Sequence, residues 1–193
     1  MSKEKARLLY EKAAEQGDQV AQYNLGVMHF DGEGGLLVFM EKARLWYEKA
    51  AEQGLPNAQY NLGLMHYNGE GGLPVSKEKA RLLYEKAAEQ EYPGAQYNLG
   101  FMHYNGEGGL PVSMEKALLW LKRAAEQGFE MATNVIETEL KAKCFSCGKT
   151  AATKCCSQCK CAYYCSRDCQ AAAWESGHKA TCKQICRIQK SAK

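Results

Sequence analysis

The segment Ala-Arg-Leu recurs every 37 residues, at Ala6, Ala43 and Ala80, and returns altered at Ala117. A fixed period of this length marks a solenoid, in which one unit cannot bury its apolar face alone and stacks on its neighbour. Each unit reads as two helices. The first, carrying Ala58, Leu62, Gly63 and Met65 at helical spacing, stops at Asn68-Gly69. The second is predicted over 77–90, with Ala80, Leu83, Tyr84, Ala87 and Ala88 on one stripe and Glu78, Lys79, Arg81, Glu85 and Lys86 largely on the other. Ser76 reads as an N-cap, and Gly54 and Gly128 as helix stops. Gly26, Gly63 and Gly100 lie inside helical patterns, each costing about 1 kcal/mol relative to alanine. They predict a neighbouring helix close against the backbone, a packing that Ala50, Ala51, Ala87, Ala88, Ala124 and Ala125 also serve.

Composition adds a boundary. The chain of 193 residues is 46% hydrophobic and 24% charged, as in ordinary globular proteins. It contains no apolar run approaching the roughly 18 residues of a spanning helix. Met1 to Lys5 is charged and leads into an amphipathic helix rather than a signal-peptide core, so a cytoplasmic or nuclear location is expected. All ten cysteines fall between Cys144 and Cys186. Residues 1–140 hold 14 Lys/Arg against 20 Asp/Glu and residues 141–193 hold 11 against 2, so net −6 and net +9 compose the overall +3. A domain boundary is therefore expected near residue 141, with repeats over 1–140.

Ala-Gln-Tyr-Asn-Leu-Gly, then Asn-Gly-Glu-Gly, then Lys-Ala-x-x-x-Tyr-x-Lys-Ala-Ala-Glu-Gln-Gly resembles the Sel-1-like repeat, a relative of the tetratricopeptide repeat. The resemblance spans about residues 1–130. It implies an all-α solenoid of antiparallel helix pairs forming a right-handed superhelix, whose concave face binds other proteins in a scaffold or adaptor. Three departures carry expectations. The chain opens on the second helix of a unit, leaving a face for a partner or for chain outside this sequence. Leu37-Val38-Phe39-Met40 replaces the Leu-Pro-Val-Ser-Lys/Met of later linkers, predicting a differently shaped turn with extra apolar surface. Residues 130–141 keep helical composition without Asn-Leu-Gly, as a capping helix would.

Ladders at the 37-residue spacing invite functional readings. His29, His66 and His103 are one repeat position seen three times. Adjacent copies stand about 10 Å or more apart, a helix-pair width, whereas zinc holds each ligand at about 2 Å. They read as packing residues. Tyr23, Tyr60 and Tyr97, with Gln22, Gln59 and Gln96, either line a protein-binding groove or finish the packing.

The cysteine region carries a second pattern: Cys144-x2-Cys147, Cys156-x2-Cys159, Cys165-x3-Cys169 and His178-x3-Cys182. Four pairs of soft ligands fit two closed tetrahedral zinc sites, because short Cys-x2-Cys turns and one-turn helical pairs each present two donors. A disulfide framework is the competing reading of ten cysteines. It is disfavoured by the missing secretory signal and by His178 in the eighth position. Fully protein-ligated sites leave no place for a reactive water, so the metal reads as structural and the chain as non-enzymatic. About 40 residues cannot build an adequate apolar core, and metal binding should supply most of the folding free energy. Cys155, Cys161 and Cys186 are surplus.

The order of these pairs, with Tyr163-Tyr164-Cys165-Ser166, Trp174 and His178-Lys-x-x-Cys182, resembles the MYND-type zinc finger over 144–182, followed by a basic tail over 183–193. The resemblance implies a cross-braced finger with two zinc ions. One would take Cys144, Cys147, Cys165 and Cys169, the other Cys156, Cys159, His178 and Cys182; spacing alone does not choose between cross-braced and sequential sites. A short helix is predicted over 166–177, with Ser166 as cap and Trp174 on a face of small residues including Ala171 and Ala173. MYND fingers similar to this one accept proline-rich peptides in a shallow groove, whose matching residues are Ser157, Gln170 and Trp174. The plainer alternative is that Trp174 packs the helix onto the zinc core.

The two resemblances imply a non-enzymatic adaptor binding protein partners on the solenoid and proline-rich peptides at the finger. Nucleic-acid binding is the alternative, motivated by the net +9. Seven zinc-bound thiolates and two dications cancel about three of those charges, and the dispersed bases show no recognition-helix code. A ubiquitin-ligase-associated role, by likeness of cross-braced zinc folds to RING fingers, is a weaker alternative.

Overall fold

The computed structural model describes residues 2–140, 154–155, 163–164, 167–175 and 182. The chain divides into two compact units, 1–95 and 96–193. The first unit holds α1 (Lys3–Glu15), α2 (Gln19–Asp31), α3 (Met40–Glu52), α4 (Pro56–Asn68) and α5 (Lys77–Glu89), each packed on the next. Their starts follow the sequence. Ser2 Oγ accepts from the Lys5 amide at 3.4 Å, Asp18 Oδ1 from Ala21 at 2.7 Å and Ser76 Oγ from Lys79 at 3.3 Å, each cap contributing about 1 kcal/mol. Pro56 opens α4, where no amide hydrogen is needed.

The helical glycines mark close approaches, as expected. A Cβ on Gly26 would lie 2.5 Å from the Tyr47 ring, and one on Gly63 would lie 2.5 Å from the Tyr84 ring. Both tyrosines are buried and rest on bare backbone of the preceding helix. Burying each ring contributes about 1.5–3 kcal/mol, obtainable only without the extra carbon.

The first linker corrects the sequence reading. Phe39 has φ −144° and ψ 88°, against −146° and 98° at Ser76 in the second linker. The same bonds close both turns: Phe39 N to His29 O at 2.9 Å and Leu36 N to Glu33 O at 3.2 Å, matched by Ser76 N to His66 O at 2.8 Å and Leu73 N to Glu70 O at 3.1 Å. The turn therefore keeps its shape without proline or a capping serine, because backbone hydrogen bonds define it. The expected apolar surface is present: Leu37 is 87% exposed, and Val38 and Phe39 are also exposed. Phe39 makes no side-chain cap, and Lys42 Nζ lies 5.4 Å from its ring centre.

One left-handed position breaks the repeat. After the second helices, Gly17 and Gly54 have φ 93° and 92°, and Glu91 occupies the equivalent place at φ 62°. Glu91 is the position where the sequence departs from Gly, and a side chain there is strained by about 1–2 kcal/mol.

α6 (Pro93–Asn105) begins at the end of the first unit and continues into the second, which contains α7 (Met114–Glu126) and α8 (Glu130–Val135). Ser113 caps α7 through the Lys116 amide at 3.3 Å. A Cβ on Gly100 would lie 2.8 Å from Leu121 Cγ. The capping segment expected as one helix divides into α8 and a π-helical turn, Ile136–Leu140. Beyond it lie β1 (Lys154–Cys155), β2 (Tyr163–Tyr164) and α9 (Arg167–Ala173). The strands pair antiparallel, Lys154 opposite Tyr164 and Cys155 opposite Tyr163. Leu118, Leu121, Ala124, Ala132, Leu140, Ala173 and Cys182 form one buried cluster.

Candidate functional sites

The ladders divide by role. Gln53 Nε2 donates to Gln22 Oε1 at 2.7 Å, while Gln22 Nε2 donates to the Ala14 carbonyl at 3.3 Å. The next copy repeats this with Gln90 to Gln59 at 3.0 Å and Gln59 to the Ala51 carbonyl at 3.4 Å. In the second unit Gln127 donates to Gln96 at 2.9 Å. Gln22, Gln59 and Gln96 are buried and finish the packing, and Gln22 and Gln59 also join successive helix pairs through the Ala14 and Ala51 carbonyls.

His29 and His66 are buried likewise, and their Nδ1 atoms have no hydrogen-bond partner among the described residues. Burial holds both imidazoles below their ordinary 6.5, with the Lys42 and Lys79 ammonium groups adding to the effect. Neutral imidazole is the form the core accommodates.

The tyrosines are only half-buried. Tyr23 packs at a tilt against Tyr47 with centroids 5.8 Å apart, Tyr60 against Tyr84 at 5.9 Å and Tyr92 at 5.0 Å, and Tyr97 against Phe129 at 5.3 Å. These side chains both pack and show surface, so neither sequence reading holds alone.

A cavity of about 180 Å³ opens between α2, α3 and α4, lined by Phe30, Tyr47, Asn61, Leu64, Met65, Asn68 and Glu70. The Tyr47 phenol is hydrogen-bonded to the Asn61 side chain and is pushed upward from its ordinary 10 by burial, with Tyr23 and the Asp31 carboxylate adding to it. This cavity is not legible in the sequence, because its lining comes from three helices and a turn spread over residues 30–70.

For the expected metal centre, Cys169 lies on α9, and Cys182 is buried beside Leu140 and Ala173 in the shared cluster. Cys155 on β1 pairs with Tyr163 on β2; in the sequence Cys156 and Cys159 come after β1 and Cys165 after β2. The donor chemistry suits zinc: soft thiolates and one imidazole in four pairs. Cys144, Cys147, Cys156, Cys159, Cys165 and His178 lie outside the described residues, as does Ser157 of the expected peptide groove. Gln170 and Trp174, one helical turn apart, are both half-buried. Trp174 packs against the cluster containing Ala173 and Cys182, and Ala171 is exposed.

Comparison with known proteins assigns both parts. The Sel1 repeat matches residues 2–18, 19–55, 56–92 and 93–129. The chain belongs to the Sel1 repeat family. A MYND finger matches residues 144–182 of this Sel1-repeat protein. Among solved structures it is similar to c5321, a protective antigen of uropathogenic Escherichia coli strains displaying an SLR fold, with 38% identity and a TM-score of 0.61 over 65% of this chain and 26% of that one. It is also similar to a Sel1 repeat protein from Oxalobacter formigenes, with 32% identity and a TM-score of 0.59 over 69% of this chain and 58% of that one. A curated relative is ubiquitin carboxyl-terminal hydrolase 19 of Arabidopsis thaliana, 57% identical over 42 residues. That match covers 22% of this chain and spans 6% of the hydrolase. The fold class is thus an all-α repeat solenoid followed by a MYND finger. Among the described residues no helix is long and apolar enough to cross a membrane.

Proposed function

We propose that this Sel1-repeat protein is a non-enzymatic, zinc-binding adaptor that holds one protein on the concave face of its repeats and a proline-rich peptide at its finger. Sel1 repeats and MYND fingers are protein-interaction modules, and the chain joins the two. The observation that carries the reading is the division among the ladders: glutamine and histidine are consumed inside, while half-exposed tyrosines and an open cavity remain for a partner. Repeats over 1–140, a finger over 144–182 and a basic tail over 183–193 are the corresponding domains.

In the finger, Cys144, Cys147, Cys165 and Cys169 would hold one zinc ion and Cys156, Cys159, His178 and Cys182 the other. Zinc supplies a structural cross-link there and leaves no open coordination position. Seven ligand thiolates suit a reducing compartment, the cytoplasm or nucleus. Ser157, Gln170 and Trp174 would form the peptide groove, where a pre-extended proline-rich segment loses little chain entropy on docking.

The test is fluorescence anisotropy of a labelled proline-rich peptide with the full zinc-loaded chain, beside a labelled DNA duplex near physiological salt. Saturable peptide binding, lost in Trp174→Ala with the zinc content unchanged, supports the adaptor. Binding to DNA alone, untouched by that substitution and lost as salt rises, overturns it in favour of electrostatic nucleic-acid binding.

A further inference from the structure

Two copies of one turn differ in their charges: Asp31 of the first is Asn68 in the second, and the lysine that reaches the first has no counterpart at the second. In the first, Lys3 Nζ lies 2.6 Å from Glu33 Oε1. Thirty-seven residues on, the glutamate recurs as Glu70 and the lysine is replaced by Met40. The replacement occupies the same place: a Cβ on Gly34 would lie 3.0 Å from the Lys3 carbonyl oxygen, and one on Gly71 2.9 Å from that of Met40. Glu70 accepts from Asn68 Nδ2 at 3.2 Å and forms no ion pair among the described residues.

The helices that line the cavity supply no substitute. Residues 18–36 and 55–73 contain no lysine or arginine, and they carry Asp18, Asp31, Glu33 and Glu70. Each cation of α3 is engaged: Lys42 over the Phe39 ring, Arg44 with Glu48 at 3.7 Å and Lys49 over the Trp46 ring at 4.4 Å. Glu70 lines the cavity whose other walls include Phe30, Leu64 and Met65. At about 180 Å³ the space falls below the roughly 300–1,000 Å³ of small-molecule sites and suits a single long side chain. One carboxylate flanked by amides is too few hard ligands for a resident divalent cation.

We propose that this cavity takes a lysine or arginine side chain of an extended partner segment, with the aliphatic stem against Phe30, Leu64 and Met65 and the cationic head on Glu70. Long basic side chains combine these two needs, an apolar stem and a charged tip, and the acidic balance of both flanking segments favours the approach of a basic chain. The proposal deepens the adaptor reading and rests on it: it gives the chemistry of the residue that the repeats would select.

The test follows the Met65 methyl resonance of the full zinc-loaded chain, labelled at its methionine methyl groups. Blocked alanine pentapeptides with central Lys, Arg, norleucine or Glu are the probes. Saturable shifts with Lys and Arg that exceed those with norleucine, and none with Glu, are expected. Glu70→Gln should weaken the Lys peptide by roughly fivefold. Met40→Lys restores the residue found at Lys3 and Lys77, and should remove the preference for Lys over norleucine by supplying the cation from within. Equal shifts for Lys and norleucine, or Lys binding unchanged in both variants, overturn the proposal. A Lys peptide that leaves Met65 unmoved while the proline-rich peptide saturates overturns this inference alone; silence in both assays overturns the adaptor reading with it.

Discussion

A complete repeat such as 19–55 and the finger matched over 144–182 are of nearly equal length, and neither has enough apolar surface to fold alone. The repeat completes itself with protein from its neighbour, as Ala21 and Leu25 of α2 are buried against Ala14 of α1 and Gln22 reaches the Ala14 carbonyl. The proposed finger completes itself with metal. Borrowed protein surface fails by degrees, one interface at a time. Borrowed metal fails all at once, because the ligands lose their common partner.

The largest effect should therefore come from chelation. Removing zinc takes away about 10 kcal/mol or more of apparent binding free energy and should unfold 144–182 while the repeats keep their helical circular dichroism. Amide exchange with and without chelator checks this. Uniform loss of protection across 2–129 would show that the repeats too depend on the metal.

Within the repeats the sharpest break is Gly63→Ala. The new Cβ would meet the buried Tyr84 ring at 2.5 Å, so the ring or the helix must shift. A cost of about 1–3 kcal/mol is expected for such overpacking, read as a lower urea midpoint, with Gly26→Ala against Tyr47 behaving alike. Equal stability of wild type and variant would remove the close approach from the account.

Acid should loosen the repeats without any substitution. His29 and His66 are held below their ordinary 6.5 by burial, so the unfolded chain takes up protons there first. Their contribution is complete above pH 6.5 and is lost as pH falls from there through the lowered folded-state values. Denaturation midpoints measured from pH 7.5 to 5 should decline, and the double variant His29→Phe/His66→Phe should flatten that decline. An unchanged slope in a folded double variant would assign the acid sensitivity elsewhere.

The helix pairs were legible in the sequence because a repeated pattern states each packing rule several times. Ser76 announced its cap, and Gly63 announced a close neighbour. The first linker misled because Pro74 and Ser76 look like the causes of the turn, whereas the hydrogen bonds from Phe39 to His29 and from Leu36 to Glu33 hold the same path without them. The cavity was illegible for another reason. Met40 in place of a lysine is visible in the 37-residue register, but its meaning depends on the turn of one unit lying beside the helix start of the unit before it. The sharing of zinc ligands is illegible from spacing alone, since four Cys or His pairs permit sequential and cross-braced sites alike.

The two linkers offer a smaller comparison. Ser76→Ala should cost about 1 kcal/mol by losing the bond from the Lys79 amide, and Phe39→Ser should restore a comparable cap to α3. Opposite shifts in thermal midpoint are the expected result. A loss at both sites would mean that Phe39, with Lys42 over its ring, stabilises α3 as well as a cap does.

The smallest effect isolates one backbone angle. Glu91 holds φ 62° where Gly17 and Gly54 hold the same turn in the first two copies. No heavy atom lies within 4 Å of a Cβ built at either glycine, so the cost at Glu91 is conformational rather than steric crowding. Glu91→Gly removes the left-handed strain and adds freedom to the unfolded chain, two opposing terms. A net stabilisation of about 0.5–1 kcal/mol is expected, since the strain of a side chain at positive φ exceeds the entropy that glycine adds. Glu91→Ala separates charge from geometry: it should leave the midpoint near that of the native chain, whereas a gain equal to that of glycine would trace the penalty to the carboxylate.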